Sequence, residues 1–341
     1  MRFSLSQPLF IHELGQRSNQ EDSLFPFDGQ ATAADRLFVL CDGMGGHEAG
    51  EVASASVCGS LGWWFRKHFS SDAVLTTSIF NEALSAAYED LVARDKGTSE
   101  KKMGTTMTFL MFHAGGATIA HIGDSRVYHL RPGVDKPLFK TNDHSLVNDL
   151  IRLGEITEEE ARTSPNRNVI TRAMQPEAER RAKADIQLIT DVQPGDWFYL
   201  CSDGMLERMN DDELVRLITD PTLSPEEKRA ELIRRTADNK DNHTAWLIQV
   251  LDVEGLPVTS SEDTTDKDPV VMEMGVAEVA PPLQHEGIKK KPKKNKKNWG
   301  LYLLLILLLL LVALWFLKPC LSQRQCQEET VGETKDTILY E

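Results

Sequence analysis

Apolar positions along this chain follow two patterns: short unbroken runs bounded by turn residues, which predict buried strands, and runs with three-to-four residue spacing, which predict helices. Residues 37–41 and 197–201 are of the first kind. Each stops at an acid followed by glycine, in Asp42-Gly43 and in Ser202-Asp203-Gly204. Residues 8–14, 106–112, 117–122, 126–130, 186–189 and 245–251 read as further strands, those between 106 and 130 as an antiparallel meander. Helical spacing covers 48–68, through Val52, Ala53, Val57, Leu61 and Trp64, and 78–96, through Ile79, Ala83, Leu84, Ala87 and Leu91. Shorter helices are predicted over 146–153, with Asp143 or Ser145 as cap, after the capping-box pair Thr157 and Glu160, and over 211–219 and 224–238. The polar stretch 154–167, which contains Pro165, is expected to be a surface flap. Strands, two helices, strands, more helices and a closing strand predict an α+β class, a layered sandwich of mostly antiparallel sheets.

The pattern changes past residue 252. Residues 253–287 hold eight acids against one lysine without periodicity and read as a disordered linker. Residues 288–298 then carry seven lysines, and 299–317 form a run of 19 residues without a charge. As a helix that run spans about 28 Å, enough for a hydrocarbon core of about 30 Å. Trp299, Tyr302 and Trp315 mark its interfaces, so a single transmembrane helix is expected. The tail 318–341 has only Lys318, Arg324 and Lys335 as basic residues, and the positive-inside bias therefore places the 1–252 domain in the cytoplasm at a cell inner membrane. Cys320 and Cys326 would then face an oxidising compartment, where they either pair or stay as thiols.

Composition narrows the functional classes. The 341 residues, 41% hydrophobic, suffice for one large packed domain with appendages. A formal net charge of -14 disfavours nonspecific nucleic-acid binding. The first 22 residues contain no apolar core of signal-peptide length, which agrees with a cytoplasmic main domain. Cys41, Cys58 and Cys201 lie in apolar surroundings at scattered spacings and read as small buried hydrophobes rather than zinc ligands.

The candidate chemistry lies in the acids at strand ends. Gly43, Gly45 and Gly46 allow tight turns beside Asp42, whose hard oxygens suit magnesium or manganese, although an Asp-Gly turn alone would explain one such motif. The second copy at Asp203 favours a metal site, because divalent cations are held by carboxylates brought from distant parts of a chain. Asp124, in the Gly123-Asp124-Ser125-Arg126 turn, and Asp241, just before the last strand, are placed similarly. Glu21 and Asp22 follow Arg17, whose guanidinium can take a phosphate bidentately, though adjacent loop acids are often merely solvated.

RSNQED, DGMGGH, MGTT, HIGDSR, TNDHSLV, NVITRA, GDWFYLCSDG and DNHT, in this order over residues 8–251, resemble the metal-dependent protein phosphatase family of type 2C, especially its bacterial members. The resemblance implies a four-layer α-β-β-α sandwich with a two-metal manganese or magnesium centre at one end. It implies that Asp42 bridges both metals, that the Gly43 carbonyl binds one, and that Asp203 and Asp241 complete the other. Glu21 and Asp22 match an acidic pair that ligates directly or through water, Asp124 an acid that helps hold a looser third metal, and Arg17 the phosphate-binding arginine. Asn242 is expected to orient Asp241 or a bound water. Two cations would make a bridging water nucleophilic near neutral pH, without a covalent enzyme intermediate.

Two positions depart from the family pattern. Met44 stands where animal members have a histidine proposed as general acid, with His47 three residues on, and Met174 stands where relatives often have glycine. The function implied is a membrane-tethered serine/threonine phosphoprotein phosphatase opposing a Ser/Thr kinase, with phosphoproteins as partners. A phosphoprotein-binding scaffold or a small-molecule phosphohydrolase are the alternatives, and the full set of core acids speaks against the first.

Overall fold

The computed structural model describes residues 1–45, 48–96, 103–176 and 181–258. The 299–317 run, the lysine block, the tail and His47 lie outside them. Among the described residues no helix is long and apolar enough to cross a membrane.

The chain begins with strands β1 (Arg2–Leu5), β2 (Leu9–Glu13), β3 (Asp22–Phe25) and β4 (Leu37–Met44), followed by helices α1 (Glu48–His68) and α2 (Thr77–Arg94). Then come β5 (Gly104–Thr105), β6 (Met107–His113), β7 (Gly116–Ile122), β8 (Arg126–Leu130), β9 (Phe139–Lys140), and short helices α3 (Leu146–Arg152) and α4 (Glu158–Thr163). Strands β10 (Asp185–Ile189) and β11 (Trp197–Cys201), helices α5 (Asp211–Thr219) and α6 (Pro225–Thr236), and the long β12 (His243–Glu254) complete it. One sheet runs β1-β12-β11-β8-β9 with β2 also on β12; the other runs β10-β7-β6-β4-β3 with β5 on β4. Every described strand pairing is antiparallel.

Three apolar clusters give the layers. Leu37, Val39 and Cys41 of β4 pack under α1 and α2, whereas Phe38 and Leu40 of the same strand point between the sheets. Strand β11 divides likewise, Phe198 and Leu200 facing the other sheet and Trp197, Tyr199 and Cys201 facing α5 and α6. Both faces of these strands are covered, and for that reason they read as unbroken apolar runs rather than alternating ones. The result is an α-β-β-α sandwich. Trp246, fully buried on β12, reaches across it and donates Nε1–H to the Val39 carbonyl at 3.3 Å.

The helices begin where their caps dictate. Thr76 accepts the Ile79 N–H on its side chain, and Asn210, Ser224 and Thr157 each complete a reciprocal capping box with a glutamate three residues on. Apart from Ala161, the described side chains of α4 are exposed, as expected of a surface flap.

Two local expectations fail. The meander does not exist: β6 pairs with β7, but β8 crosses to the other sheet and pairs with β11 and β9. Gly123 makes the crossing possible, since its φ of +107° and the Thr106 side chain pressed against it leave no place for a Cβ. Asp22 opens a strand rather than sitting in a solvated loop, because β3 fills the edge beside β4 and buries Leu24 and Phe25.

Candidate metal centre

The acids named from the sequence come from both sheets and meet where the sheet ends adjoin. Asp42, near the end of β4, lies opposite Asp22 in the β3–β4 register. Its backbone is held on three sides: its N–H donates to Thr106 Oγ1 at 3.0 Å, and its carbonyl accepts the Thr106 N–H at 2.8 Å and Thr105 Oγ1 at 2.9 Å. Asp22, only 4% exposed, accepts a hydrogen bond from Ser202 Oγ at 2.8 Å, and Ser202 Oγ accepts the Thr244 N–H at 3.1 Å. A buried hydroxyl thus ties the first sheet's acid to the second sheet. Asp203 opens a one-turn 3-10 helix directly after β11, and its carboxyl meets that of Asp42 within hydrogen-bonding reach.

Gly43 and Gly204 earn their place by crowding. A methyl group at Gly43 would collide with the Gly50 and Glu21 carbonyls, and one at Gly204 with the Asn242 carbonyl. Gly43 donates its N–H to the Glu21 carbonyl at 3.0 Å, while the Glu21 carboxylate lies against Gly50 and accepts from Asn19 Nδ2 at 3.2 Å. Asp241 sits before β12 with Oδ1 on the Asn242 N–H at 2.8 Å and Oδ2 on Arg17 Nη2 at 2.6 Å. Asn242 therefore orients Asp241 through its main chain. Its side chain instead fixes the arginine loop, accepting from the Glu21 N–H at 2.8 Å and donating to the Leu14 and Asn19 carbonyls at 2.9 and 3.1 Å.

Asp124 occupies the β7–β8 crossing and is 8% exposed. Its neighbours are braced: Ser125 Oγ lies 2.7 Å from Thr106 Oγ1, and Arg126 binds both oxygens of Asp143 at 2.7 and 2.6 Å. Asp124 Oδ1 is buried without a hydrogen-bond partner. Met174, fully buried, exchanges two backbone hydrogen bonds with Thr105 and packs beside α1 and α2.

Charge is the outstanding property of this place. Burial, then the charges of Asp22, Asp203, Asp124 and Asp241, push the Asp42 carboxyl well above the usual carboxylate range. Burial pushes Asp22 up to about 7 against the help of its hydroxyl partners, Asp124 to about 7 with Asp203 and Asp143 adding to it, and Asp203 to about 6 with Asp241 adding to it. Among the described residues, Arg17 is the cationic side chain that hydrogen-bonds within the set Asp22, Asp42, Asp124, Asp203 and Asp241, and it does so at Asp241. So many buried and half-buried carboxylates, with one oxygen wholly unpartnered, fit divalent cations: hard oxygen ligands would gain the positive charge that the chain does not supply. The residues present therefore suit manganese or magnesium. Sequence reasoning passed over the groups that hold the acids in place, Ser202, Thr105, Thr106, Ser125 and Asp143, although each lies within a motif already singled out.

Two stacked antiparallel sheets whose ends gather buried acids define a metal-dependent phosphatase class. The chain belongs to the protein phosphatase 2C family, whose model, described as Protein phosphatase 2C, matches residues 12–251. It is 36% identical over 225 residues to a putative protein phosphatase 2C-type of Streptococcus pyogenes, covering 65% of this chain and 87% of that protein. It is 30% identical over 244 residues to the protein phosphatase PhpP of Streptococcus pneumoniae, covering 70% and 96% respectively. Among solved structures, the serine/threonine phosphatase PstP/Ppp of Mycobacterium tuberculosis superposes with a TM-score of 0.62 at 30% identity, over 73% of this chain and all 100% of that one. The catalytic domain of serine threonine protein phosphatase PstP in complex with two manganese ions gives a TM-score of 0.59 at 30% identity, over 74% and 100%.

Proposed function

We propose that this chain hydrolyses phosphoserine and phosphothreonine in proteins, and that the carboxylates around Asp42 hold two manganese or magnesium ions, with a looser third at Asp124. The observation that carries this reading is the convergence of buried Asp22 and Asp124 with half-buried Asp42 and Asp203 in one mutually repelling cluster. Bound there, the cations would supply a water made nucleophilic near neutral pH and neutralise the phosphoryl oxygens. Asp42 would be shared between the two ions and assisted by the Gly43 carbonyl, Asp203 and Asp241 would complete one, and Glu21 and Asp22 would act directly or through water. Arg17 takes the phosphate: its guanidinium stands beside Asp241 on a loop anchored by Asn242, so it is aimed before substrate arrives. The rigid backbone clamps on Asp42 serve the same end. Met44 offers no proton, so the leaving alkoxide receives its proton from water.

The test compares full-length chain on phosphothreonine peptides, phosphoserine peptides and nucleotides with manganese present. Release of phosphate from the peptides at the higher kcat/KM is expected; faster hydrolysis of nucleotides would overturn the protein-substrate reading.

We further infer that residues 299–317 anchor the enzyme in a cell inner membrane with the phosphatase in the cytoplasm, opposing a Ser/Thr kinase there. The support is the uncharged 19-residue run after seven lysines, against three basic residues in the tail. A tether raises the effective concentration of membrane-associated phosphoproteins. An alkaline phosphatase fused after Glu341 should be active, and fluorescence from a cytoplasm-only reporter at that position would reverse the topology.

A further inference from the structure

His121, His144 and Asp185 place their ligand atoms within 4.8 Å of one another beside the β7–β8 crossing, as a metal site would. Proton positions argue otherwise. His144 Nδ1 lies 3.1 Å from the Gly123 backbone nitrogen, whose hydrogen it accepts, so in the neutral ring the proton sits on Nε2 and no lone pair faces the cluster. Nε2–H then donates to Asp185 Oδ2 at 3.1 Å, and Arg172 Nη1, which also lies 3.2 Å from that nitrogen, turns its hydrogen to the same carboxylate. The positive charge is already supplied by Arg172, which donates to Asp185 Oδ1 at 2.8 Å. His121 stacks on the His144 ring at 4.5 Å between centroids and faces the Asn142 carbonyl with its own Nε2 at 2.9 Å.

The ring is thus fixed on every side and grips one thing, the turn that carries Asp124. The grip is double, because the His144 N–H also donates to the Gly123 carbonyl at 2.9 Å. The same residue's carbonyl accepts the Thr171 N–H at 2.8 Å, so the strand-like segment leaving the flap is zipped to it. We propose that His144 is a positioning residue for Asp124, holding the Gly123-Asp124 turn so that the unpartnered Asp124 oxygen faces the cation site, with Asp185 and Arg172 as its outer brace. The inference rests on Asp124 holding a cation as proposed above.

Two substitutions split the ring's functions. His144→Asn puts an acceptor oxygen where Nδ1 stands and drops the reach to Asp185; His144→Gln keeps a far nitrogen and drops the near acceptor. On the solubilised full-length chain, hydrogen–deuterium exchange over residues 122–125 and the calorimetric manganese isotherm are measured together. His144→Ala and His144→Gln should speed exchange at Gly123 and weaken the loosest manganese step, each about tenfold, the scale of one lost hydrogen bond to a buried group. His144→Asn should restore most of both, and in an Asp124→Asn background His144→Ala should leave the manganese isotherm unchanged. Should His144→Ala fail to fold, Asp185→Asn, on an exposed side chain, is expected to move both quantities the same way by a smaller factor. Equal behaviour of the Asn and Gln variants, or wild-type exchange in His144→Ala, would overturn the assignment. A wild-type isotherm with no manganese binding would instead defeat the metal reading, while the exchange data would still report on His144.

Discussion

Two aspartates in this molecule, Asp196 buried and Asp42 half-buried, meet opposite fates. Asp196, with no exposed surface, accepts hydrogen bonds from His129 Nε2 at 2.8 Å, Arg131 Nε and Nη2 at 2.7 and 2.9 Å, and the Gln193 N–H at 2.9 Å. Burial alone would raise its pKa, yet Arg131, then His129 and the Gln193 amide, hold it below the usual carboxylate range. Asp42 has carboxylates for neighbours, and burial drives it far upward. The chain thus completes the electrostatics of Asp196 with its own donors, the Arg131 guanidinium among them, and supplies no such partner to the Asp42 carboxylate among the described residues. A buried acid satisfied internally braces the fold; one left among its own kind marks the place where chemistry is done.

The comparison is broken most directly by neutralising the acid of each kind. Asp42→Asn should lower manganese-dependent hydrolysis of a phosphothreonine peptide by at least about a hundredfold, since a ligand charge is lost from the centre that stabilises the transition state. The chelated variant should melt no lower than the chelated wild type, because a repelled charge is gone. Near-wild-type hydrolysis, with circular dichroism showing a folded chain, would remove Asp42 from the centre.

Asp196→Ala is the converse. It leaves the buried His129 without its acceptor, while Arg131 keeps Asp191, and an unsatisfied buried group of this kind costs about 1–3 kcal/mol. Urea unfolding should show that loss with and without manganese alike, while kcat of the folded enzyme stays within a few-fold of wild type. Equal stability of variant and wild type would mean that the Asp196 network is surface-like in energy despite its burial.

Much of this contrast was legible in the sequence, and the missing part has a physical reason. The strands β4 and β11 and their terminal acids stood out because both faces of each strand are buried, which leaves unbroken apolar runs that stop at Asp42 and Asp203. Helices α1 and α5 were read to their observed ends, since amphipathic spacing is a local signal. Partner choice between strands is not local. The crossing of β8 to the other sheet depends on Gly123 packing against Thr106, and the burial of Asp22 depends on Ser202, some 180 residues away in sequence. Nothing in a window around HIGDSR or RSNQED carries that information. The same limit hid the role of Asp143, which as a candidate helix cap looked ordinary but binds Arg126 through both oxygens.

The smallest expected effect, and the one that sharpens the comparison furthest, is the pH dependence of stability with and without metal. In the chelated protein Asp22, Asp124 and Asp203 have folded-state values of about 7, about 7 and about 6, against 3.8 as their ordinary value. Between these limits the folded chain binds more protons than the unfolded chain, so stability falls as pH rises. The contribution of these acids is fully present below about pH 4 and is lost as pH climbs through 6 to 7. Asp196 titrates in the opposite sense, contributing above the ordinary carboxylate value and losing its contribution as pH falls through its depressed one. The chelated chain should therefore melt lower at pH 8 than at pH 5.5. Manganese replaces those protons as the neutralising charge, and saturating metal should erase or reverse the slope while leaving the acid limb set by Asp196 in place. In Asp196→Ala that acid limb should flatten and the alkaline one persist. Thermal melts from about pH 2 to 8 with chelator and with manganese provide the check, and a chelated enzyme equally stable at pH 5.5 and pH 8 would show that the acids around Asp42 do not repel one another as their burial requires.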